Sequence, residues 1–285
     1  FHLLMVCGEF IVTKQSNFQA SLFFLNGKAV KKHNNMHNNL PDFLIIGAQK
    51  CGTTWLWNEI RQHPNIFMPE GKELHYFSND GSTNFQDDGS LDWYKKFFVN
   101  SGEANLLGES TPSYIYRPES AQNIFSVIPD VKLIVTLRQP AERAYSQWCM
   151  QRKRKVVPLE YSFVEAFYSN ERKQVGMRER GFYYSQLLRY FEFFERDKIS
   201  IFLYDELKND YRSYLKKIYS FLNVNDEFVS STADRILHPK LFNIPDTSVS
   251  IPIDEKREIT KYYLDSINRL EDLLKFDLTD WKEFK

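Results

Sequence analysis

Short apolar runs recur through the middle of the chain, separated by longer stretches in which apolar residues return every three or four positions. Phe43–Ile46 is a continuous apolar run, the pattern of a strand buried on both faces. Leu106-Leu107, Lys132–Leu137 and Ile199–Tyr204 are the other strand candidates. Helical spacing predicts helices over Thr53–Gln62, Ala141–Arg152, Tyr183–Phe194 and Leu207–Leu222, with His63-Pro64 stopping the first. Near the end Leu264, Ile267, Leu270, Leu273 and Leu274 keep a helical interval and predict a helix packed back on the domain. Strands alternating with helices imply an α/β fold: a central, mainly parallel sheet flanked by helices in three layers.

The first forty residues follow no such pattern. Ile11–Thr13 and Leu22–Leu25 read as strands around the hairpin-type dipeptide Asn26-Gly27, and the polar stretch Lys31–Asn39 reads as a linker. The expected organisation is an N-terminal extension of unassigned role, 1–40, and one domain, 41–285.

Composition narrows the function classes. The 285 residues are 42% hydrophobic, enough for a substantial core, and 37 basic residues balance 37 acidic ones. No global field then draws the chain to nucleic acid or a membrane, and any anion site must be built locally. Cys7, Cys51 and Cys149 show no CxxC spacing, which argues against a disulfide framework or a zinc site and for a reducing compartment. No apolar run nears the roughly 18 residues of a spanning helix. The opening FHLLMVCGEF lacks a basic segment and a small-residue cleavage site, so a cytoplasmic location is expected.

The chemistry concentrates in two places. Behind the first strand, Gly47-Ala48-Gln49-Lys50-Cys51-Gly52 forms a glycine-bracketed loop leading into a helix that begins Thr53-Thr54. Strand, loop and helix in that order bind phosphate, because loop amides and the positive end of the helix face the anion. The loop falls one residue short of GxxxxGK[ST]: Thr53 follows Gly52 where a triphosphate-binding lysine would stand. Lys50 lies inside the loop, closer to a mono- or diphosphate-sized group, and no apolar strand ends in a magnesium-holding aspartate.

The second place is Leu137-Arg138-Gln139-Pro140, where a buried strand enters a helix. Arg138 stands at the strand's carboxyl end, where open α/β sheets bind ligands. Ser146 lies about two helical turns on, on nearly the same face, and an arginine fork with a hydroxyl makes a phosphate clamp.

Together these elements resemble the PAPS-dependent sulfotransferases, which use 3′-phosphoadenosine-5′-phosphosulfate as donor. GAQKCGTTWL (47–56) resembles their 5′-phosphosulfate loop and LIVTLRQPAERAYSQW (133–148) their 3′-phosphate element. KELHYF (72–77), DWYKKFF (92–98), GESTPSYIY (108–116), GFYYSQLLRYFEFF (181–194) and RLEDLLKFDLTDW (269–281) fit in order. The resemblance runs from about Asp42 to Trp281 and is nearest the heparan-sulfate-type branch and its bacterial relatives. It implies a P-loop-like fold, with Lys50, Cys51, Gly52, Thr53, Thr54 and Trp55 holding the 5′-phosphosulfate. It implies that Arg138 and Ser146 hold the 3′-phosphate, and that Tyr183 lies near the nucleotide. Glu73 matches the family's general-base glutamate, with Lys72 tuning its charge. His75, on the same face if the segment is extended, would orient the acceptor or share the proton. Lys50 would also stabilise the departing adenosine 3′,5′-bisphosphate (PAP), and no metal is expected.

Two positions depart from the family pattern. Ser110 stands where the heparan-type enzymes often have a lysine, and RILHPKLFN (235–243), with His238 and Lys240, replaces a cysteine-containing nucleotide loop. The acceptor is open: a small-molecule metabolite first, a saccharide next, with Tyr76, Phe77, Trp93, Tyr94, Tyr114 and Tyr116 in segments suited to line its pocket. The basic run Arg152–Lys155 could attract an anionic glycan or be a solvated helix face. A P-loop kinase using ATP and magnesium, and a nucleotide- or glycan-binding module without turnover, are the rival classes. No assembly signal is present.

Overall fold

The computed structural model describes residues 23–25, 28–30, 38–78, 89–158, 160–169, 172–231 and 250–283. Phe1–His37 and Asn38–Lys285 form separate compact units. In the first, β1 (Phe23–Leu25) pairs antiparallel with β2 (Lys28–Val30), Leu25 opposite Lys28, on either side of Asn26-Gly27. Ile11–Thr13 and most of the expected linker lie outside the described residues.

The second unit is built on five parallel strands: β3 (Phe43–Gly47), β4 (Ile66–Phe67), β5 (Leu106–Ser110), β6 (Lys132–Leu137) and β7 (Ile199–Leu203). Their order is β4-β5-β3-β6-β7, so the chain passes from β3 to the edge strand β4, returns to β5 beside β3, and then crosses to β6 and β7 on the other side. Such a reversal opens a crevice at the carboxyl ends of the strands. β3 is buried along its whole length, as its unbroken apolar run requires.

Alternate residues of the sheet feed two cores. Leu44, Ile46, Leu133, Val135 and Leu137 face one side, and Phe43, Ile45 and Ile134 the other. The first face is covered by α2 (Leu91–Lys95), α3 (Ser120–Val127), α4 (Pro140–Lys153), α5 (Phe163–Tyr168), α7 (Tyr183–Phe191) and α10 (Ile253–Leu274). The second carries α1 (Thr53–Ile60), α8 (Tyr204–Asn209) and α9 (Tyr211–Leu222). The described residues also form helices α6 (Arg172–Glu179) and α11 (Thr279–Lys282).

Helix boundaries follow local chemistry. Gln139 caps α4 by accepting from Glu142 N–H at 2.8 Å, and Pro140 occupies the first turn, where its missing N–H costs nothing. The helix expected over Leu207–Leu222 is instead two helices, because Asp210 accepts from the amides of Arg212 and Ser213 and starts α9 afresh. The strand expected to reach Tyr204 ends one residue earlier. In α10 the buried stripe is Ile259, Tyr263, Ile267 and Leu270; Leu264, expected inward, falls off it and is 40% exposed.

Candidate active site at the carboxyl ends of β3 and β6

β3 and β6 are neighbours, and the loops leaving them are joined by hydrogen bonds. Ala48 N–H donates to Thr136 O at 2.8 Å, and Thr136 Oγ1 donates to Cys51 O at 2.8 Å. The loop 48–52 is therefore stapled to the strand that delivers Arg138. Gly52 turns it into α1 at φ +85°, and a Cβ there would lie 2.9 Å from the Tyr204 ring. No side chain caps α1 and its first turn holds no acid, so the leading amides carry the full positive end of the helix dipole.

Lys50 sits in this loop, half-buried, with no hydrogen bond or ion pair among the described residues. Burial lowers its pKa, and Arg138, Arg154 and Arg143 lower it further. Four cations thus share one region, and among the described residues no carboxylate is set against Lys50. Arg143 is fully buried on α4 and is held by Gln147 Oε1 at 2.8 Å and by the Met177 carbonyl. Arg143 did not stand out in the sequence; Arg154 did so only as part of the basic run, in which Arg152 lies over the Trp148 ring.

Arg138 is half-engaged. Its Nε and Nη2 donate to Glu142 Oε2 at 3.2 and 3.1 Å, and its guanidinium lies 5.0 Å from the Tyr204 ring centre. The other oxygen of Glu142 accepts from Lys256 on α10 at 2.9 Å. Burial pushes the Glu142 carboxyl up, but Lys256 and Arg138 outweigh it, and the net shift is down. Ser146, one face along α4, keeps a hydroxyl with no partner among the described residues.

Tyr183 lies behind both loops. Its hydroxyl donates to Arg138 O at 2.9 Å and sits 3.7 Å from Cys51 Sγ, with the ring buried. Cys51 and Trp55 are also core residues: Trp55 packs edge-on against Tyr211 at 6.3 Å. The side chains of these three shape the loops from beneath, leaving Lys50, Thr54, Arg138 and Ser146 less covered.

On the other side of α1, Lys72 donates to Thr54 Oγ1 at 3.0 Å and to Glu73 Oε1 at 3.1 Å. Glu73 and His75 were expected to share a face of an extended segment. The backbone is otherwise: both have positive φ, 67° and 58°, and no strand forms there. The side chains nevertheless converge, with His75 Nε2 3.7 Å from Glu73 Oε2. The turn is fixed by Glu73 N–H on Ser110 O at 3.0 Å and His75 N–H on Thr111 Oγ1 at 3.4 Å. His75 Nδ1 is 3.3 Å from Ser113 Oγ. Facing His75 and then Lys72, the Glu73 carboxyl falls to about 2.

Most of the aromatic residues proposed for an acceptor pocket are core. Phe77, Trp93, Tyr94 and Tyr114 are buried, and Tyr94, Tyr114 and Thr111 all donate to the buried Glu109. Tyr76 and Tyr116 are the half-buried exceptions: Tyr76 stacks on Tyr94 at 4.3 Å, and Tyr116 lies elsewhere. Tyr116 borders a groove of about 370 Å³ with Arg117, Glu179, Phe182, Gln186 and Arg189.

A family model for the sulfotransferase domain matches residues 40–245. The chain belongs to the sulfotransferase family. It is 37% identical over 131 residues to the membrane-associated sulfotransferase kil1 of Dictyostelium discoideum, covering 44% of this chain and 26% of that protein. It is 28% identical over 211 residues to human bifunctional heparan sulfate N-deacetylase/N-sulfotransferase 3, covering 69% and 24%. The chain thus spans about a quarter of the length of these curated relatives. A sulfotransferase crystal structure from Alicyclobacillus acidocaldarius superposes with a TM-score of 0.71 at 29% identity, covering 86% of this chain and 99% of that one. The sulfotransferase family takes its sulfuryl group from PAPS. Among the described residues no cluster of His, Cys, Asp or Glu is placed to hold a metal, and no helix is long and apolar enough to cross a membrane. His238 and Lys240 lie outside the described residues.

Proposed function

We propose that this chain transfers a sulfuryl group from PAPS to a hydroxyl or amine of a small-molecule or saccharide acceptor, releasing PAP. One observation carries the reading: two anion-binding elements, the Lys50 loop and Arg138, leave adjacent parallel strands at the same end and are tied together through Thr136 and Tyr183. A doubly phosphorylated nucleotide needs that pair.

The residues fit the donor. The first turn of α1, which no side chain caps, supplies amide donors; the Lys50 ammonium and the Ser146 hydroxyl, which meet no partner among the described residues, supply more, and the surrounding arginines supply charge. When bound, PAPS supplies the sulfuryl group: a bond forms from acceptor oxygen or nitrogen to sulfur as the bond from sulfur to the 5′-phosphate oxygen breaks, its electron pair staying on phosphate. Lys50 and the α1 amides stabilise charge there, in the manner of an oxyanion site. Arg138 and Ser146 hold the 3′-phosphate. Glu73 takes the acceptor's proton, help typically worth about 10²–10⁴-fold, and His75 holds the carboxylate's far oxygen.

The heparan-sulfate relative supports a saccharide acceptor, while the balanced 37 and 37 charges favour a small molecule. Labelled PAPS offered with a panel of hydroxyl and amine acceptors, glucosaminyl saccharides among them, tests both. PAP should raise the melting temperature, and Arg138→Ala should weaken that effect. A preference for ATP with magnesium would instead indicate a kinase, and PAP binding with no transfer a binding module.

A further inference from the structure

Lys72 occupies the gap between the donor loop and the base. Its ammonium is 3.0 Å from Thr54 Oγ1 in the first turn of α1 and 3.1 Å from Glu73 Oε1, with the side chain only 14% exposed. An ammonium has three N–H groups, and among the described residues only those two acceptors meet it. Beside it, the carboxyl end of β5 brings no cation: Ser110 stands there, its hydroxyl buried and without a partner. Resting on the donor assignment above, we propose that Lys72 is a second cation at the transfer point, which grips the sulfonate oxygens of bound PAPS and thereby lets go of Glu73.

The exchange resolves a difficulty in the free protein. A carboxylate held at about 2 is fully ionised at neutral pH but a feeble proton acceptor. Two groups hold it there, His75 on Oε2 and Lys72 on Oε1. Sulfonate oxygens arriving beside Thr54 offer Lys72 a new anionic partner at the distance it already spans. Glu73 Oε1 then loses its ion pair and faces the acceptor, whose O–H or N–H proton it receives as the new bond to sulfur forms. His75 remains on Oε2 and keeps the carboxylate oriented. Base strength is thereby linked to donor occupancy.

The test needs no acceptor. Titration calorimetry with PAPS and with PAP separates contact with the sulfonate from contact with the bisphosphate. Lys72→Met should raise the Kd for PAPS about tenfold and leave that for PAP within about twofold, since a charged hydrogen bond is lost from one ligand only. Glu73→Gln, which removes the competing carboxylate, should lower the Kd for PAPS several-fold and leave PAP unchanged. A Lys72→Met protein that weakens both ligands equally, or neither, overturns the proposal. If Lys72→Met fails to fold by circular dichroism, the Glu73→Gln arm decides, and an unchanged PAPS affinity there overturns it. Should the wild-type protein bind neither nucleotide, the donor assignment itself falls and this inference with it. Binding of both, with no effect of either substitution, removes the inference alone.

Discussion

The phenol of Tyr183 donates to the backbone carbonyl of Arg138 at 2.9 Å. A side chain from the start of α7 therefore fixes the strand end that carries the guanidinium, while its oxygen also touches Cys51 in the other loop at 3.7 Å. Tyr183→Phe removes that donor and leaves a buried carbonyl short of its partner. Stability should fall by about 1–3 kcal/mol. PAP affinity should fall with it, because both loops lose a common support. Denaturant unfolding and calorimetry on one preparation check the pair of effects; an unchanged affinity would show that the loops hold their places alone.

Gly52 occupies a conformation at φ +85° with the Tyr204 ring against the place a Cβ would take. Gly52→Ala should cost about 1–2 kcal/mol from the backbone alone. Relieving the 2.9 Å contact must in addition shift Tyr204, over which Arg138 lies. Nucleotide affinity should therefore drop more than the stability loss explains. Ser146→Ala is the contrasting case: its hydroxyl has no partner among the described residues, so PAP affinity should fall several-fold with the melting temperature unmoved.

Much of this arrangement was legible in the chain. The all-apolar β3 announced a doubly buried strand, and glycines at 47 and 52 around Lys50 announced the loop behind it. Arg138 could be placed because it ends an apolar run. The two-residue β4 could not, since no periodicity survives at that length. The convergence of Glu73 and His75 was expected for the wrong reason: neighbours on β5 and the segment after it impose positive φ, a tertiary effect with no local signature. That Tyr183 braces both loops from beneath had no signal in the sequence, because aromatic residues at the start of α7 look alike whichever way they face. Lys256, more than a hundred positions from Glu142, could not be paired with it by any spacing rule.

Glu142 links Arg138 on one oxygen to Lys256 on the other, joining α4 to the C-terminal helix α10. Its folded pKa is depressed below the ordinary 4.5, so its contribution to stability is present above 4.5 and is lost as pH falls through the folded value. Glu142→Gln should thus be less stable than wild type by about 1–3 kcal/mol at neutral pH, with the gap closing in acid below the ordinary value. The same substitution releases the Arg138 fork from a competing anion, and PAP should bind more tightly. Unfolding curves at several pH values, with calorimetry at neutrality, test both signs.

Glu73→Gln should cut turnover by about 10²–10⁴-fold once an acceptor is in hand, with PAP affinity nearly intact. The amide keeps the shape and can still meet Lys72, but it cannot take a proton. An equal loss of turnover and of PAP affinity would mean that Glu73 supports the donor site, and the base assignment would fall. His75→Gln should cost less, since the carboxylate would lose an orienting partner and retain its function.

Lys50 is pushed below the ordinary lysine value of 10.5 by burial, with Arg138, Arg154 and Arg143 adding to the shift. The free protein therefore sheds this proton at lower pH than an exposed lysine would. A bound phosphate favours the charged ammonium, so binding should draw a proton back and the affinity for PAP should decline as pH rises through the depressed value. The decline should begin well before the range in which surface lysines titrate. Lys50→Gln should bind PAP weakly at every pH and show no such alkaline limb, whereas Lys50→Arg should keep affinity into alkali because a guanidinium holds its proton. Calorimetry in two buffers of different ionisation enthalpy would count the proton directly. Wild-type binding with neither proton uptake nor an alkaline decline would place Lys50 away from the phosphate.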